Sequence, residues 1–198
     1  MTNAQFARFL EASSYTPKDG SEFLAHFVDG RPPRGEENHP VVYVSHQDAL
    51  AYAHWAGKSL PTEEEWFLAA GGADGRRWPW GKAMEPGRCP TDATGSAAVD
   101  AFPRGASPFG VQDLVGNVWQ WTEPVVDNGR HLVVYVRGGS WYHPPRGAWW
   151  VRGGPRPVDD SVPLPLFGPG MNRLATVGFR CVVRSADAPD AALEPRAP

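Results

Sequence analysis

The sequence lacks the features of a disulfide-stabilised, membrane-spanning or nucleic-acid-binding protein. Its two cysteines, Cys89 and Cys181, are too few for a disulfide framework, and they predict a reduced, cytoplasmic protein. No apolar run reaches the roughly 18 residues that a transmembrane helix needs, and no signal peptide is visible at the start of the chain. The formal net charge is −3, so no basic surface for nucleic acid is expected.

Glycine, proline and tryptophan are abundant by contrast. The 22 Gly and 21 Pro predict many turns and short regular elements. The nine Trp predict irregular loops packed around large rings rather than long stacked helices. A chain of 198 residues has room for one domain with a substantial core, whereas two domains would be cramped.

Three helices are predicted from N-terminal capping boxes, in which a hydroxyl residue precedes an acidic or amide residue by three positions. The boxes begin at Thr2, Ser45 and Thr62. The predicted packing residues of the first two helices are Phe6, Phe9 and Leu10, then Ala49, Leu50, Ala53 and Ala56. The third helix opens with Glu63, Glu64 and Glu65, which are expected to stabilise its N-terminus rather than to act as acids or bases.

Strands are predicted where β-branched and aromatic residues cluster or alternate, at residues 40–44, 133–136 and 177–183. Residues 13–40, 73–112 and 155–176 are broken by Pro and Gly, so they are expected to be irregular. The Ala, Pro and Asp composition of residues 185–198 predicts a disordered tail after a domain over 1–184.

The segment 133–152 has the character of a binding surface. Its strand ends at Gly138 and Gly139, which allow a sharp turn. Large aromatic rings, an imidazole and a guanidinium follow the turn, and these groups dominate protein binding sites. The candidate ligand-binding residues after the turn are Trp141, Tyr142, His143, Pro144, Arg146, Gly147, Trp149 and Trp150. The alternative is that about half of these aromatic rings are buried in the core.

The order of several motifs resembles the formylglycine-generating enzyme (sulfatase-modifying factor) family over residues 1 to about 184. The motifs are TNAQFARFL, HPVVYVSHQDALAYAHWAGKSLPTEEEW, WPWG, SPFGVQDLVGNVWQW, VRGGSW and GFRCV. The resemblance implies an α+β, C-type-lectin-like single domain with few, short helices and strands and much irregular structure. It also implies that Trp119 and Ser140 match pocket residues of the enzymes.

The resemblance further implies a copper(I) site made by two cysteines after the Gly-Gly-Ser turn. In this chain those positions carry His143 and Ala148, so no copper and no sulfatase activation are expected. The alternative is a metal-dependent oxidoreductase related to the family that works without the cysteine pair.

A structural calcium ion is a second implication of the resemblance. Its ligands would come from Asp113, Gly116, Val118 and Gln120, as a carboxylate, carbonyl oxygens and a side-chain oxygen. Gln120 stands where the family usually has glutamate, which removes one negative charge. One calcium ion is therefore expected at most, and a hydrogen-bonded turn without metal is the alternative.

The register after the turn also resembles ligand-binding variable proteins diversified by retroelements, which share this fold. In those proteins Gly-Gly-Ser-Trp is followed by three variable positions, then Pro-Arg and another variable position. Here Tyr142, His143 and Pro144 precede Pro145-Arg146, and Gly147 follows. The sequence therefore predicts a module that presents residues 141–156 to an unknown protein or small-molecule ligand, and not to nucleic acid or membrane.

Overall fold

The computed structural model describes residues 1–91, 94–142, 153–166 and 172–184 of the chain. Within these ranges, three helices and seven short strands are joined by long irregular segments, which confirms the predicted α+β class. The helices are α1 (Asn3–Ser13), α2 (His46–Trp55) and α3 (Glu63–Gly71), with a 3₁₀ turn at Pro103–Gly105. The strands are β1 (Trp119–Trp121), β2 (Val126–Asp127), β3 (Leu132–Arg137), β4 (Gly139–Ser140), β5 (Gly154–Pro155), β6 (Ser161–Pro165) and β7 (Val177–Phe179).

All three predicted capping boxes are present. In α1, the Gln5 amide N–H donates to Thr2 Oγ1 at 3.2 Å, and the Thr2 amide N–H donates to Gln5 Oε1 at 2.9 Å. The same reciprocal pair opens α2 and α3. These bonds satisfy backbone donors that have no partner inside the helix, so they fix where each helix begins. In α3 the cap uses Glu65, as the sequence predicted.

The larger sheet is built around β3. Strand β6 pairs antiparallel along β3 from Val133 to Arg137, and β1 and β2 pair antiparallel with its opposite edge. Strand β7 pairs parallel with β1, with Trp119 opposite Val177. Strand β4 directly follows β3 in the chain and pairs with the later strand β5 in a small second sheet. This arrangement brings the end of β3, the strand β1 and the late strand β7 to one part of the molecule.

Two apolar cores support the sheet. The larger core packs α1 and α2 against β1, β3 and β7, and includes the aromatic cluster of Phe6, Phe9, Tyr52 and Phe179. The smaller core surrounds Trp66 of α3. The packing residues predicted for α1 and α2 all lie in or against the larger core. In the described part of the chain, no helix is both long and apolar enough to cross a membrane.

Three predictions about strands need correction. The strand predicted at 40–44 is wrong: Val41, Val42 and Val44 are buried, but Tyr43 has φ of 54°, which an extended strand does not allow. The apolar run there reflects burial rather than pairing. The strand predicted at 177–183 is shorter and ends at Phe179. Residues 155–176, predicted as irregular, contain β6, whose prolines are tolerated because β6 lies at the edge of the sheet. The predicted tail at 185–198 lies outside the described residues.

Candidate functional site

The turn between β3 and β4 positions the candidate site. Gly138 and Gly139 have φ of 95° and 82°, a backbone conformation that side chains disfavour. A Cβ atom at Gly138 would overlap the carbonyl oxygen of Leu114, and one at Gly139 would overlap that of Gly154. The two glycines therefore allow the chain to press against two other backbone segments. The prediction of a sharp Gly-Gly turn at the end of the strand is confirmed.

Four of the predicted ligand-binding residues are described. Ser140 is buried in β4, where it pairs with Gly154 of β5. The Trp141 backbone N–H donates to the Asn117 carbonyl at 3.0 Å, and the Trp141 and Tyr142 rings meet edge to face at 5.8 Å. Trp119 is buried in β1, while Tyr142 is 45% exposed. The predicted residues that lie outside the described ranges are His143, Pro144, Arg146, Gly147, Trp149 and Trp150.

The structure brings these four residues together around one cavity of about 350 Å³. Trp119, Ser140, Trp141 and Tyr142 form one part of its wall. The other part, which sequence reasoning missed, consists of Val136, Leu164, Leu174, Ala175, Thr176 and Val177, while Gly153, which also lines the cavity, lies within the predicted surface 141–156. Among the described lining residues none carries a charge, a thiol or an imidazole. The described wall is therefore apolar and offers a few hydroxyl and indole groups for orientation.

Only some of the residues in this other part of the wall could have been predicted from the sequence. The strand predicted from residue 177 does contain Val177, which the structure buries in the larger core. The parallel pairing that sets Val177 beside Trp119 joins residues distant in the chain, and a short strand carries no local signal of its partner. Leu164 lies on β6, in a Pro-rich segment that the sequence predicted to be irregular.

Apart from the apolar cavity, a polar cluster lies in the turn between Asp113 and Gln120. The Gln120 side-chain N–H groups donate to the backbone carbonyls of Asp113 at 3.0 Å and Leu114 at 3.1 Å. Gln120 Oε1 accepts from Trp66 Nε1 at 2.9 Å and from Arg180 Nε at 2.6 Å. The turn is thus connected to α3 and to the residue after β7 through one side chain. Trp66 and Arg180 were not predicted to belong to this cluster.

Asp113, the expected carboxylate ligand of calcium, is held in the same turn. One of its oxygens accepts from Asn117 Nδ2 at 3.2 Å. Burial raises the pKa of Asp113 to about 6, while the nearby Arg180 guanidinium and the bond from Asn117 act in the opposite direction. The raised pKa shows that burial is the larger influence on this carboxyl group. The Arg180 guanidinium thus already places a positive charge near Asp113, where a calcium ion would lie.

The four residues predicted to bind calcium do not fit the ion well. Calcium requires about six to eight oxygen ligands at 2.3–2.6 Å. Gln120 contributes no free oxygen lone pair, because its Oε1 already accepts two hydrogen bonds. Gly116 and Val118 can each offer only the backbone carbonyl oxygen that was predicted for them. Across the described residues, no group of three or more His, Cys, Asp or Glu side chains could hold a metal ion. The calcium site remains a prediction.

The two cysteines show no sign of reactivity. Both are free; Cys89 is buried in the smaller core and Cys181 is half-buried against the larger one. Burial raises the pKa of the Cys89 thiol to about 12 and also raises that of Cys181. Both side chains are thus expected to be neutral thiols at neutral pH, as suits apolar packing residues.

Comparison with known proteins extends these observations. Residues 1–185 match the Sulfatase-modifying factor enzyme 1-like domain family. The chain is 36% identical over 173 residues to the formylglycine-generating enzyme of Thermomonospora curvata, covering 61% of this chain and 56% of that protein. It is 42% identical over 116 residues to the inactive C-alpha-formylglycine-generating enzyme 2 of Bos taurus, covering 52% of this chain and 38% of that protein.

The fold is shared with a solved structure of low sequence identity. The crystal structure of CarF superposes with a TM-score of 0.66 at 18% identity, covering 91% of this chain and 82% of that one. This likeness confirms the predicted C-type-lectin-like α+β fold. The chain spans 38% and 56% of the two curated relatives, so their whole activities do not transfer to it directly. By its match over residues 1–185, the chain belongs to the sulfatase-modifying factor enzyme 1-like family.

Proposed function

We propose that this chain is a binding module that receives an apolar group of its ligand in the cavity beside Trp119 and Trp141. The observation that carries the proposal is the character of the cavity wall. Its described residues are mostly aliphatic and aromatic, with the hydroxyl groups of Ser140 and Thr176 as orienting polar groups, and none carries a carboxylate, an imidazole or a thiol. Apolar cavities with a few orienting polar groups are typical of ligand-binding sites.

The size of the cavity indicates the size of the bound group. A buried apolar cavity of about 150 Å³ is large enough to bind benzene. The cavity here, at about 350 Å³, has room for a two-ring system or a large aromatic side chain. The ligand can thus be a small molecule with such a group or a protein that inserts one. Residues 141–156 would supply further contacts, because aromatic and Arg side chains give large contact areas and directional hydrogen bonds.

The absence of the cysteine pair at the family's copper positions supports a non-catalytic function. The residues at these positions are His143 and Ala148, and an alanine side chain cannot bind a metal ion. Cys89 is buried in the smaller core and Cys181 packs against the larger one, and both are distant in the sequence from the family's copper positions. One curated relative of this chain, from Bos taurus, is itself named as inactive.

The retroelement origin is a finer form of the same proposal. It rests on the register from Gly138 to Gly147, which matches the pattern of variable proteins. Sister copies from one genome would test it. Differences clustered within residues 142–176, with Trp119, Ser140 and Trp141 unchanged, are expected. Differences spread evenly over the chain would contradict it.

A calorimetric titration with naphthol tests the cavity as a binding site. The unmodified chain is expected to bind naphthol saturably with a Kd in the micromolar to millimolar range. Ala175→Phe should weaken this binding at least about tenfold, because the new ring fills the cavity that Ala175 lines. Ala175 is partly exposed, so its replacement leaves the cores intact.

Ala12→Phe is the matched control for this titration. Ala12 is exposed on α1 and does not line the cavity, so this variant should bind naphthol as the unmodified chain does. Thermal unfolding of both variants checks that they are folded. Equal binding by Ala175→Phe and Ala12→Phe would show that the cavity is not the binding site.

The alternative function is a metal-dependent oxidoreductase without the cysteine pair, which the family membership favours. Metal analysis of protein purified without chelators separates the two functions. We expect copper and iron far below one equivalent per chain, because the family's two thiolate positions lack cysteine. Stoichiometric copper or iron that is lost on mutation of His143 would instead support the oxidoreductase.

A further inference from the structure

We infer that the side-chain amide of Gln120 replaces a calcium ion in the Asp113–Gln120 turn, so that the turn is stable without metal and would need calcium if residue 120 were glutamate. In a calcium-bound turn, the cation draws carbonyl and carboxylate oxygens together. In this chain an N–H donor meets the carbonyl oxygens instead. The inference concerns the turn next to the cavity and does not depend on the proposed binding function.

The orientation of the Gln120 amide is determined by its neighbours. The indole N–H of Trp66 and the guanidinium N–H of Arg180 can only donate, so the oxygen of Gln120 must face them. The nitrogen of Gln120 then faces the carbonyls of Asp113 and Leu114, which can only accept. All four hydrogen-bonding positions of the amide are filled, and the opposite orientation would break all four bonds.

The guanidinium of Arg180 adds the positive charge that the turn would otherwise take from a metal ion. Its Nη2 donates to the backbone carbonyls of Gln112 and Asp113, each at 2.9 Å. The Asp113 carbonyl therefore accepts from both Gln120 and Arg180. An added divalent cation would have to displace these donors and lie next to a fixed positive charge, which is unfavourable.

Glutamate at residue 120 would have nearly the same shape as glutamine, but it would replace the N–H donors with a negatively charged oxygen. One carboxylate oxygen would keep the bonds from Trp66 and Arg180. The other would stand where the nitrogen is now, about 3.0 Å from two carbonyl oxygens, with no hydrogen between them. Repulsion among these oxygens can be relieved by a cation that binds all three. Gln120→Glu is thus expected to create a calcium requirement that the chain itself lacks.

Thermal unfolding in EGTA and in about 5 mM CaCl2 tests the inference, since calcium sites of modest affinity are filled at that concentration. The unmodified chain should have the same Tm in both. Gln120→Glu should lose roughly 5–10 °C in EGTA and recover most of it in calcium, because a ligand that binds the folded state stabilises it.

Gln112→Glu is the matched control, since Gln112 is exposed and its change adds the same charge to the same segment. Its Tm should not respond to calcium, which separates specific binding from attraction to a more acidic surface. The inference would be overturned by a lower Tm of the unmodified chain in EGTA. It would equally be overturned if Gln120→Glu were fully stable in EGTA, or destabilised but not restored by calcium.

Discussion

Replacing Arg173 by methionine is expected to lower the free energy of unfolding by about 3–5 kcal/mol, because it leaves a buried carboxylate without its cation. The side chains of Arg173 and Asp48 are only 2% and 1% exposed. Arg173 Nε lies 2.9 Å from Asp48 Oδ2, and Nη2 lies 3.2 Å from Oδ1. Arg173 Nη1 also donates to the carbonyls of Asp19 and Ser21, each at 2.6 Å. The guanidinium thus joins α2 to an irregular loop and to the segment before β7.

The expected loss of stability is large because the Asp48 carboxylate also accepts hydrogen bonds from two other parts of the chain. Its carboxylate accepts from the backbone and hydroxyl of Ser45 at the start of α2, and from the Tyr15 hydroxyl at 2.8 Å. Burial and the bond to Asp48 raise the pKa of Tyr15 above its usual value, so this hydroxyl remains a donor. Urea-induced unfolding, followed by circular dichroism, measures the loss.

Arg184→Met is the control for Arg173→Met. Arg184 pairs with Glu65 and Glu123, but its side chain is 42% exposed, so water can replace much of what it loses. Its replacement should cost less than about 1 kcal/mol. Adding Asp48→Asn to Arg173→Met should recover part of the stability, because no charge then stays buried. Equal losses for Arg173→Met and Arg184→Met would contradict the prediction.

Gly139→Ala is expected to lower the free energy of unfolding by about 2–5 kcal/mol. Two penalties combine at this residue. The φ of 82° strains any residue with a Cβ atom, and the added methyl group would overlap the backbone carbonyl of Gly154. Relief requires β4 and β5 to separate, which would also disturb the cavity beside Ser140. Chemical denaturation measures the change in stability, and the naphthol titration measures the change in the site.

Gly129→Ala separates the two penalties. Gly129 has nearly the same φ, 81°, but a Cβ atom there would meet no atom within 4 Å. This variant carries only the backbone strain and should cost about 1 kcal/mol. The difference between the two variants therefore reports the close approach of β4 to β5. Similar losses in both would mean that the strands separate without difficulty.

Local sequence signals were sufficient for the helices and for the central turn. Thr2, Ser45 and Thr62 each form the predicted cap, because a capping box needs only residues three positions apart. Gly138 and Gly139 mark the end of β3, since the conformation they adopt is one that few other residues accept. The ordered motifs also led correctly to the family and its fold.

Signals based on apolar runs were less reliable. Residues 41–44 have the composition of a strand, yet Tyr43 turns the chain out of the extended conformation. Burial of Val41 and Val44 explains the composition equally well, because a core selects apolar side chains whatever backbone presents them. Conversely, Pro163 and Pro165 argued against a strand where β6 pairs with β3, at an edge that tolerates proline.

The sequence by itself determined where the three helices begin and which family the chain belongs to, and it proposed the four described residues that lie around the cavity. Only the tertiary structure decided that Trp119 faces Val177 across a parallel pair, and that residues from β3, β6 and 174–177 complete the cavity. It alone decided that Gln120 turns its nitrogen to two carbonyls and its oxygen to Trp66 and Arg180. The physical reason is the separation in sequence of the residues that interact. Caps and turns depend on neighbouring residues, whereas cavities and buried polar networks depend on packing between distant segments.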